Sequence, residues 1–326
     1  MLDLPTPLPH AVCLDQLGYG DERLPFDLLR QGKEQGLQGA LVTLVNIEGG
    51  APRAIGTHMA VLEDGRYVGY ISGGCLEGAV ATEAMRIIRT GVDETLRFGM
   101  GSRFLDVQLP CGGGVDLHIT ARPDHPMVEE ALDLFSARQS FALALGADGA
   151  HVLNGTAPQT GWGEDGFYRR YDPPVRLLLV GAGAEMVALS RLGLAAGMGV
   201  TGLSADEACL AALAQGGAAA QPLHGDTLPA GLADAHTALV FLFHDHAREL
   251  PLLKAGLDSP AFYIGALGSR RTQVARRENL TAAGMAPQQI DRIHGPIGLF
   301  GPTRNAHSLA VAILAEIASC REGVAA

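Results

Sequence analysis

The second half of the chain alternates apolar segments of strand length with helical segments, and this alternation constrains the fold more than any other feature. Apolar segments lie at 175–180, 200–203, 238–243 and 261–266. Helical patterns accompany them, the first at 185–196 and the last at 306–319. Such alternation is typical of a doubly wound, mostly parallel sheet that binds ligands at the carboxyl ends of its strands. We therefore predict an α/β fold with a Rossmann-like C-terminal domain at 175–326.

The first half of the chain predicts a separate N-terminal domain of mixed α/β type. Helices are predicted at 24–35, 77–89 and 126–138, and strands at 39–46, 58–62, 66–71, 115–121 and 141–146. After Gly149 the sequence becomes polar and rich in turn residues, up to the pair Pro173-Pro174. A chain of 326 residues is also longer than one hydrophobic core usually supports. We predict that the N-terminal domain spans 1–150 and that a linker spans 151–174.

Charge and hydropathy restrict the class of protein. The chain has 24 basic and 35 acidic side chains, and its net charge of −11 repels a nucleic acid backbone over most of the surface. Its apolar stretches are too short to span a membrane, and its first residues do not resemble a signal peptide. Five cysteines without a C-x-x-C pair do not indicate a disulfide framework. We therefore expect a cytoplasmic protein that binds neither nucleic acid nor a membrane.

Two of the cysteines have glycine neighbours, in Ser72-Gly73-Gly74-Cys75 and in Cys111-Gly112-Gly113. Backbone without side chains leaves a thiol open to a ligand, and Cys75 lies at the predicted start of a helix, where a thiolate is favoured. Thiolates ligate soft metals and attack sulfur donors. A cysteine can instead be a small buried apolar residue, and we expect this of Cys13, Cys209 and Cys320. We predict a functional role for at least one of Cys75 and Cys111.

A strand-to-helix turn in the second domain carries Gly181 and Gly183. Glycines at such a turn allow a phosphate to approach the N–H groups of the helix N-terminus. Met186 stands in place of the third glycine of a dinucleotide fingerprint, and the next strand ends at Ser204 rather than at the acidic residue that would bind a ribose. The sequence leaves two alternatives open: a nucleotide or dinucleotide site, and a Rossmann-like turn without a nucleotide.

Arginines near glycines suggest anion sites in both domains. Gly268, Ser269, Arg270 and Arg271 follow a predicted strand, and arginines with backbone N–H groups suit a phosphate or pyrophosphate. The alternative is a capped helix with solvated arginines. Arg53, in the glycine-rich segment 48–56, could hold an anion beside the cysteine loops or be the solvated arginine of a turn.

Several separated motifs together resemble one known family. Gly49-Gly50-Ala51-Pro52-Arg53, Ser72-Gly73-Gly74-Cys75-Leu76-Glu77 and Cys111-Gly112-Gly113 are similar to the N-terminal domain of the XdhC/CoxI accessory proteins. Motifs at 263–271, 292–298 and 310–316 are similar to the C-terminal Rossmann domain of that family. The resemblance covers nearly the whole chain in the same order.

The resemblance implies a non-catalytic, dimeric chaperone for the molybdenum cofactor. Such a protein binds the cofactor (molybdopterin with its metal), supports its sulfuration by a cysteine desulfurase, and inserts it into apo xanthine dehydrogenase or a related molybdoenzyme. Carried over by position, Cys111 is the first candidate for contacting the cofactor and its metal, and Cys75 is the second. In this interpretation Gly181, Gly183 and residues 268–271 hold the phosphate end, while both thiols face the metal end across the domain interface.

Two alternatives come from other classes of protein. The glycine turn at Gly181 and Gly183 would suit an NAD(P)-dependent oxidoreductase, although the absent acidic residue argues against it. A redox or sulfur-carrier protein would work through Cys75 or Cys111 and would form a persulfide on one of these thiols.

Overall fold

A computed structural model describes residues 8–14, 21–51, 53–104, 109, 112–146, 148–155, 157–243 and 246–323. Contacts between residues divide the chain into two compact units, Met1–Pro173 and Pro174–Ala326. Within the part of the chain that the structure describes, no helix combines the length and the apolar character that a membrane crossing requires.

The first unit contains two sheets and three long helices. In chain order its elements are β1 (Val12–Cys13), α1 (Leu24–Glu34), β2 (Gly39–Glu48), β3 (His58–Leu62), β4 (Arg66–Val68), α2 (Glu77–Thr90), β5 (Glu94–Gly99), β6 (Gly114–Ala121), α3 (His125–Ser136), β7 (Phe141–Gly146), β8 (Gly149–Asn154), β9 (Gly161–Gly163) and β10 (Gly166–Tyr171). The first sheet has the order β1-β4-β3-β2-β6-β5 and is antiparallel except for the β1–β4 pair. The second sheet, β8-β7-β10-β9, is entirely antiparallel.

The first sheet is buried on both faces. On one face, Val42 and Leu117 pack with Ile87 and other apolar residues of α2. On the opposite face, Leu41 packs in a second cluster that includes residues of α1, α3 and the second sheet, such as Phe141. Full burial of a large apolar side chain contributes roughly 1.5–3 kcal/mol. Burial on both faces explains why β2 is an almost uninterrupted apolar strand rather than an alternating one.

The segment 151–174 is not a linker, so that prediction was wrong. It contains most of β8 and all of β9 and β10, which pair with β7 in the second sheet. Phe167 and Tyr171 of β10 are 0% and 1% exposed. Polar residues on the outer face of the sheet and glycines at the hairpin turns give the segment the composition of a linker. The first unit therefore continues to Pro173.

The second unit is a doubly wound parallel sheet, which confirms the predicted α/β class and the Rossmann-like C-terminal domain. Its elements are β11 (Arg176–Gly181), α4 (Ala184–Ala195), β12 (Gly199–Ser204), α5 (Glu207–Gln215), β13 (Ala219–Pro222), β14 (Thr237–Leu242), α6 (His246–Leu257), β15 (Tyr263–Ala266), α7 (Arg270–Ala282), α8 (Pro287–Ile290), β16 (Ile293–His294) and α9 (Ala306–Glu322). The third sheet has the order β13-β12-β11-β14-β15-β16, with every pair parallel. The strand order reverses between β11 and β14, so ligand binding is expected at the carboxyl ends of these two strands.

Candidate functional site

Three loops of the first unit lie at the same end of the first sheet. Glu48 at the end of β2 pairs with Gly114 at the start of β6, and Gly114 also pairs with Gly99 at the end of β5. His58 begins β3 beside β2, and the antiparallel strand β4 ends on the same side. The segments after β2, after β4 and before β6 consequently share this end of the sheet. They contain Arg53, Cys75, Gly112 and Gly113, so the sheet brings these described residues of the three predicted motifs to one edge.

Glycines let two of these loops touch. A Cβ atom on Gly113 would lie 2.5 Å from the carbonyl oxygen of Gly50 and 2.7 Å from that of Glu48. Any side chain at Gly113 would therefore push the loop before β6 away from the loop after β2. Gly112 has a φ angle of +70°, a conformation that other residues rarely adopt, and a Cβ there would meet nothing within 4 Å. Gly113 is thus fixed by packing, whereas Gly112 is fixed by its backbone conformation.

The loop between β4 and α2 is built around the carboxylate of Glu77. This side chain is buried, and its oxygens accept hydrogen bonds at 2.8–3.2 Å from the N–H groups of Ile71, Ser72, Gly73, Gly74 and Leu76. The Ser72 hydroxyl donates to the same carboxylate at 2.9 Å, and its oxygen accepts from the N–H groups of Cys75 and Leu76. Gly73 and Gly74 have φ angles of +85° and +114°, which lets successive N–H groups converge on one acceptor.

These hydrogen bonds determine the charge at the loop. Burial would raise the pKa of the Glu77 carboxyl, but the hydrogen bonds from Ser72, from Gly74 and from the backbone around the carboxyl outweigh burial and lower it. Glu77 is therefore ionised at neutral pH. The N–H groups of Gly73 and Gly74 are already used by Glu77, so what these glycines offer a ligand is backbone surface without side chains. The sequence analysis named Glu77 only as part of a motif, because no local pattern shows that its side chain folds back onto the preceding loop.

Of the two candidate thiols, the structure describes one. Cys75 is exposed, and its backbone N–H donates to Ser72 Oγ at 3.1 Å. Cys111 and Pro110 lie outside the described residues, whereas the adjacent Gly112 and Gly113 lie within them. Among the described residues no group of three or more His, Cys, Asp or Glu side chains is arranged to hold a metal ion. The assignment of Cys111 and Cys75 as metal ligands stays a prediction.

Arg97 on β5 connects the strands at this end of the first sheet. Its Nε donates to the carbonyl oxygen of Met100 at 2.7 Å, its Nη1 lies 3.3 Å from the Asp116 carboxylate on β6, and its Nη2 pairs with Glu48 at the end of β2. A Cβ on Gly114 would lie 2.8 Å from the backbone carbonyl oxygen of Met100 and 2.7 Å from Arg97 Nη2, so a side chain at this position would displace the backbone after β5. Sequence reasoning missed Arg97, because an arginine in a strand gives no sign of its partners.

In the second unit a cleft of about 390 Å³ lies where the strand order reverses. The lining residues come from strand ends and helix starts: Gly181, Ala182, Gly183, Ala205, Asp206, Leu223, Leu242, Phe243 and Arg248. Gly181 has a φ angle of +143°, and a Cβ there would collide with the backbone of Leu242 on the neighbouring strand. Gly183, with a φ angle of +101°, is the N-cap residue of α4. Both predicted glycines therefore shape this cleft.

The cleft has both positive and negative side chains near it, so its charges do not favour an anionic ligand throughout. Arg248 supplies a positive charge at its edge. Glu185 lies in the first turn of α4, where its carboxylate opposes a phosphate at the helix N-terminus. Asp206 accepts hydrogen bonds from the N–H groups of Ala208 and Cys209 and so caps α5, and Ser204 at the end of β12 is fully buried. Binding of a nucleotide or dinucleotide here stays a prediction.

The predicted anion motif at 268–271 forms the start of α7. Ser269 is the N-cap residue, and its Oγ accepts a hydrogen bond from the N–H of Thr272 at 3.1 Å. Gly268 has a φ angle of +149°, and Arg270 and Arg271 are exposed. None of these residues is among the described residues that line the cleft at Gly181. The geometry resembles the capped helix with solvated arginines more than a closed phosphate site, and the anion site stays a prediction.

Comparison with known proteins assigns the family. The model of the XdhC and CoxI family matches residues 33–99, and that of the XdhC Rossmann domain matches residues 177–317. The chain is 38% identical over 301 residues to the molybdenum cofactor insertion chaperone PaoD of Escherichia coli strain K12, covering 92% of this chain and 87% of the relative. It is 23% identical over 352 residues to a probable xanthine dehydrogenase subunit of Bacillus subtilis strain 168, covering 94% of this chain and 99% of that relative.

A solved structure shares the fold. The crystal structure of a xanthine dehydrogenase from Bacillus halodurans matches with a TM-score of 0.68 at 20% sequence identity, covering 92% of this chain and 96% of that chain. The family matches fall on both units described above, and the similarity to PaoD extends over most of the chain. The chain therefore belongs to the XdhC and CoxI family.

Proposed function

We propose that this protein binds the molybdenum cofactor and inserts it into a xanthine-dehydrogenase-like molybdoenzyme. The observation that carries the proposal is the end of the first sheet, where Gly73 and Gly74 precede the exposed Cys75 and the loop of Gly112 and Gly113 lies at the same end. The name of the Escherichia coli relative as a molybdenum cofactor insertion chaperone supports the same function.

The chemistry of this end of the sheet suits the metal part of such a cofactor. The bound group would supply an oxo-metal centre held by a pterin dithiolene. A thiol is a soft donor that can contact such a metal, and glycine backbone allows a flat ring system to approach closely. In the proposal Cys111 is the first contact, Cys75 is the second, and Arg53 with Gly73, Gly74, Gly112 and Gly113 lines the surface. Glu77 and Arg97 hold the loops in place and do not contact the cofactor.

The proposal extends to how the cofactor is matured and delivered. We infer that the bound cofactor is sulfurated with the help of a cysteine desulfurase and then passed to the apo molybdoenzyme, in the cytoplasm and by a homodimer. An exposed thiol at the cofactor surface is accessible to such a partner. A persulfide on Cys75 or Cys111 after incubation with a desulfurase would support the sulfur-carrier part of this interpretation.

A second candidate function rests on the cleft in the second unit. The strand order of the third sheet and the glycine turn at Gly181 and Gly183 suit an NAD(P)-dependent oxidoreductase. Glu185 at the N-terminus of α4 and the absence of an acidic side chain at the end of β12, Ser204, argue against it. Tight binding of a dinucleotide together with a hydride-transfer activity would establish this alternative.

The test is equilibrium binding of anaerobically extracted molybdenum cofactor, with molybdenum and pterin quantified after gel filtration. We expect the wild-type protein to retain both in a fixed ratio and the Cys111→Ala variant to lose most of them. Cys209→Ala is the matched control, because Cys209 is a buried cysteine of the second unit, outside the three loops, and we expect it to bind like wild type. Full retention of the cofactor by Cys111→Ala would contradict the proposed role of Cys111. Failure of the wild-type protein to bind the cofactor would contradict the proposed function and favour the dinucleotide-dependent alternative.

A further inference from the structure

Four reactive or titratable side chains meet at the edge of the third sheet, apart from the cleft. Tyr263 begins β15 and His294 ends the edge strand β16, while Glu316 and Cys320 lie one turn apart on α9. The cleft is lined by Gly181 and other residues at the carboxyl ends of the strands, whereas Tyr263 is at the amino end of its strand. The cluster is therefore separate from the candidate nucleotide site.

The distances within this cluster form a relay from a thiol to a carboxylate. Cys320 Sγ lies 4.0 Å from His294 Nε2, and His294 Nδ1 lies 3.4 Å from Glu316 Oε1. The other oxygen of Glu316 accepts hydrogen bonds from the Tyr263 hydroxyl at 2.6 Å and from the Gly298 N–H at 2.8 Å. The Tyr263 ring stacks on the imidazole of His294 with 4.5 Å between ring centroids. The imidazole is thus held by a carboxylate and by a ring, with its second nitrogen directed at the thiol.

The carboxylate determines which nitrogen of His294 carries the proton. Burial would raise the pKa of the Glu316 carboxyl, but the hydrogen bonds from His294, Tyr263 and Gly298 lower it, so it is ionised at neutral pH. An ionised carboxylate only accepts hydrogen bonds, so Nδ1 of His294 carries the proton and Nε2 presents a lone pair to Cys320. Burial, and then the charge of Glu316, raise the pKa of the Cys320 thiol. The thiol is therefore protonated at rest and needs a base in order to react.

We propose that Cys320 is a nucleophilic thiol that attacks the sulfur of a disulfide or persulfide, with His294 as its general base and Glu316 as the residue that positions His294. The Cys320 sulfur bonds to one sulfur of the donor, and the S–S bond of the donor breaks. The thiol proton passes to Nε2 of His294 and then to the departing thiolate. The exchange needs no further oxidant, because one S–S bond replaces another. Cys320 is half-buried and the imidazole is 35% exposed, so a small sulfur compound can reach the pair.

The test measures the reaction of each cysteine with 2,2′-dithiodipyridine in the full-length protein at pH 7. Digestion with trypsin yields a fragment at 305–321 in which Cys320 is the single cysteine, and a fragment at 1–23 that contains Cys13 alone. We expect the rate at Cys320 to fall by about 100-fold or more in His294→Gln, the range for a lost general base, while the rate at Cys13 is unchanged. Glu322→Gln, an exposed change close to Cys320, is the matched control and is expected to react like wild type.

A pH profile separates a base from a merely structural histidine. Besides His294, the charged or titratable groups around the thiol are Glu316, Tyr263, and the contacting pair Arg321 and His236. The wild-type rate at Cys320 is expected to show an inflection in its dependence on pH that is lost in His294→Gln. Glu316→Gln keeps an acceptor for the Tyr263 hydroxyl and is expected to weaken the inflection. If His294→Gln does not fold, this variant tests the proposal in its place. An unchanged rate and an unchanged inflection in the folded variants would overturn the proposal, which does not depend on cofactor binding.

Discussion

Replacing Glu77 by glutamine should destabilise the first unit, although it alters one atom. The carboxylate accepts from the N–H groups of Ile71, Ser72 and Gly73 at one oxygen and from those of Gly74 and Leu76 at the other. In Glu77→Gln, one of the two oxygens becomes an NH₂ group that faces N–H donors. The N–H of Leu76 keeps Ser72 Oγ as an acceptor, so the arrangement that costs least leaves one N–H, that of Gly74, without its acceptor, and such a loss costs about 1–3 kcal/mol. We expect the free energy of unfolding of this unit to fall by about 1–3 kcal/mol.

The single tryptophan of the chain makes this effect measurable. Trp162 belongs to the first unit, and its Nε1 donates to the carbonyl oxygen of Val45 on β2, so its fluorescence reports unfolding of that unit. Urea titrations of wild type and Glu77→Gln give the difference in free energy. Glu34→Gln, an exposed change on α1, is the control and should alter stability by less than about 0.5 kcal/mol. A loss below about 1 kcal/mol for Glu77→Gln would refute the account of the loop, because unsatisfied buried donors cost more than that.

The remaining predictions concern pH, packing and a buried ion pair. Burial, and then the charge of Arg169, lower the pKa of His58 to about 3, which is below its value in the unfolded chain. The free energy of unfolding of the first unit is therefore complete above pH 6.5 and falls as the pH is lowered, because the unfolded chain binds the proton more readily. Between pH 6.5 and 5 this loss is about 2 kcal/mol by Trp162 fluorescence, and a His58→Gln variant should show a flatter dependence. Gly113→Ala should weaken cofactor binding in the gel-filtration assay by separating two loops, and unaltered binding would contradict the packing argument. Arg276→Met should destabilise the second unit by about 3–5 kcal/mol in calorimetry because the buried Glu249 carboxylate loses the guanidinium that pairs with it, whereas a neutral result would mean that the pair is dispensable.

Periodicity allowed four strands of the second unit, β11, β12, β14 and β15, to be predicted because each is a short, largely buried apolar run, whereas the edge strands β13 and β16 lack this signal and were not predicted. β14 and β15 have no exposed residue, and such strands leave an unmistakable signal. The second sheet of the first unit gave the opposite signal. Residues of β8 are half-buried or exposed, and β9 is three residues long, so hydropathy alone could not separate them from a linker.

The candidate site could be predicted only in part, because sequence shows which residues are unusual but not what they contact. The glycines around Cys75 were recognisable, whereas their use of Glu77 as an internal acceptor depends on how the loop folds. The proximity of Cys320 to His294, 26 residues earlier in the chain, depends on the packing of α9 beside the edge strand. No local pattern encodes such a contact, which is why Cys320 was predicted to be structural.

The most direct measurement of the central claim is transfer of the cofactor. The protein would be loaded anaerobically with molybdenum cofactor, freed of unbound cofactor by gel filtration, and mixed with the apo form of a xanthine-dehydrogenase-like enzyme. We expect molybdenum and pterin to leave the protein together and to appear in the enzyme, which gains activity. Cofactor that is never retained by the protein, or that is retained but reaches the enzyme no better than free cofactor does, would contradict the account.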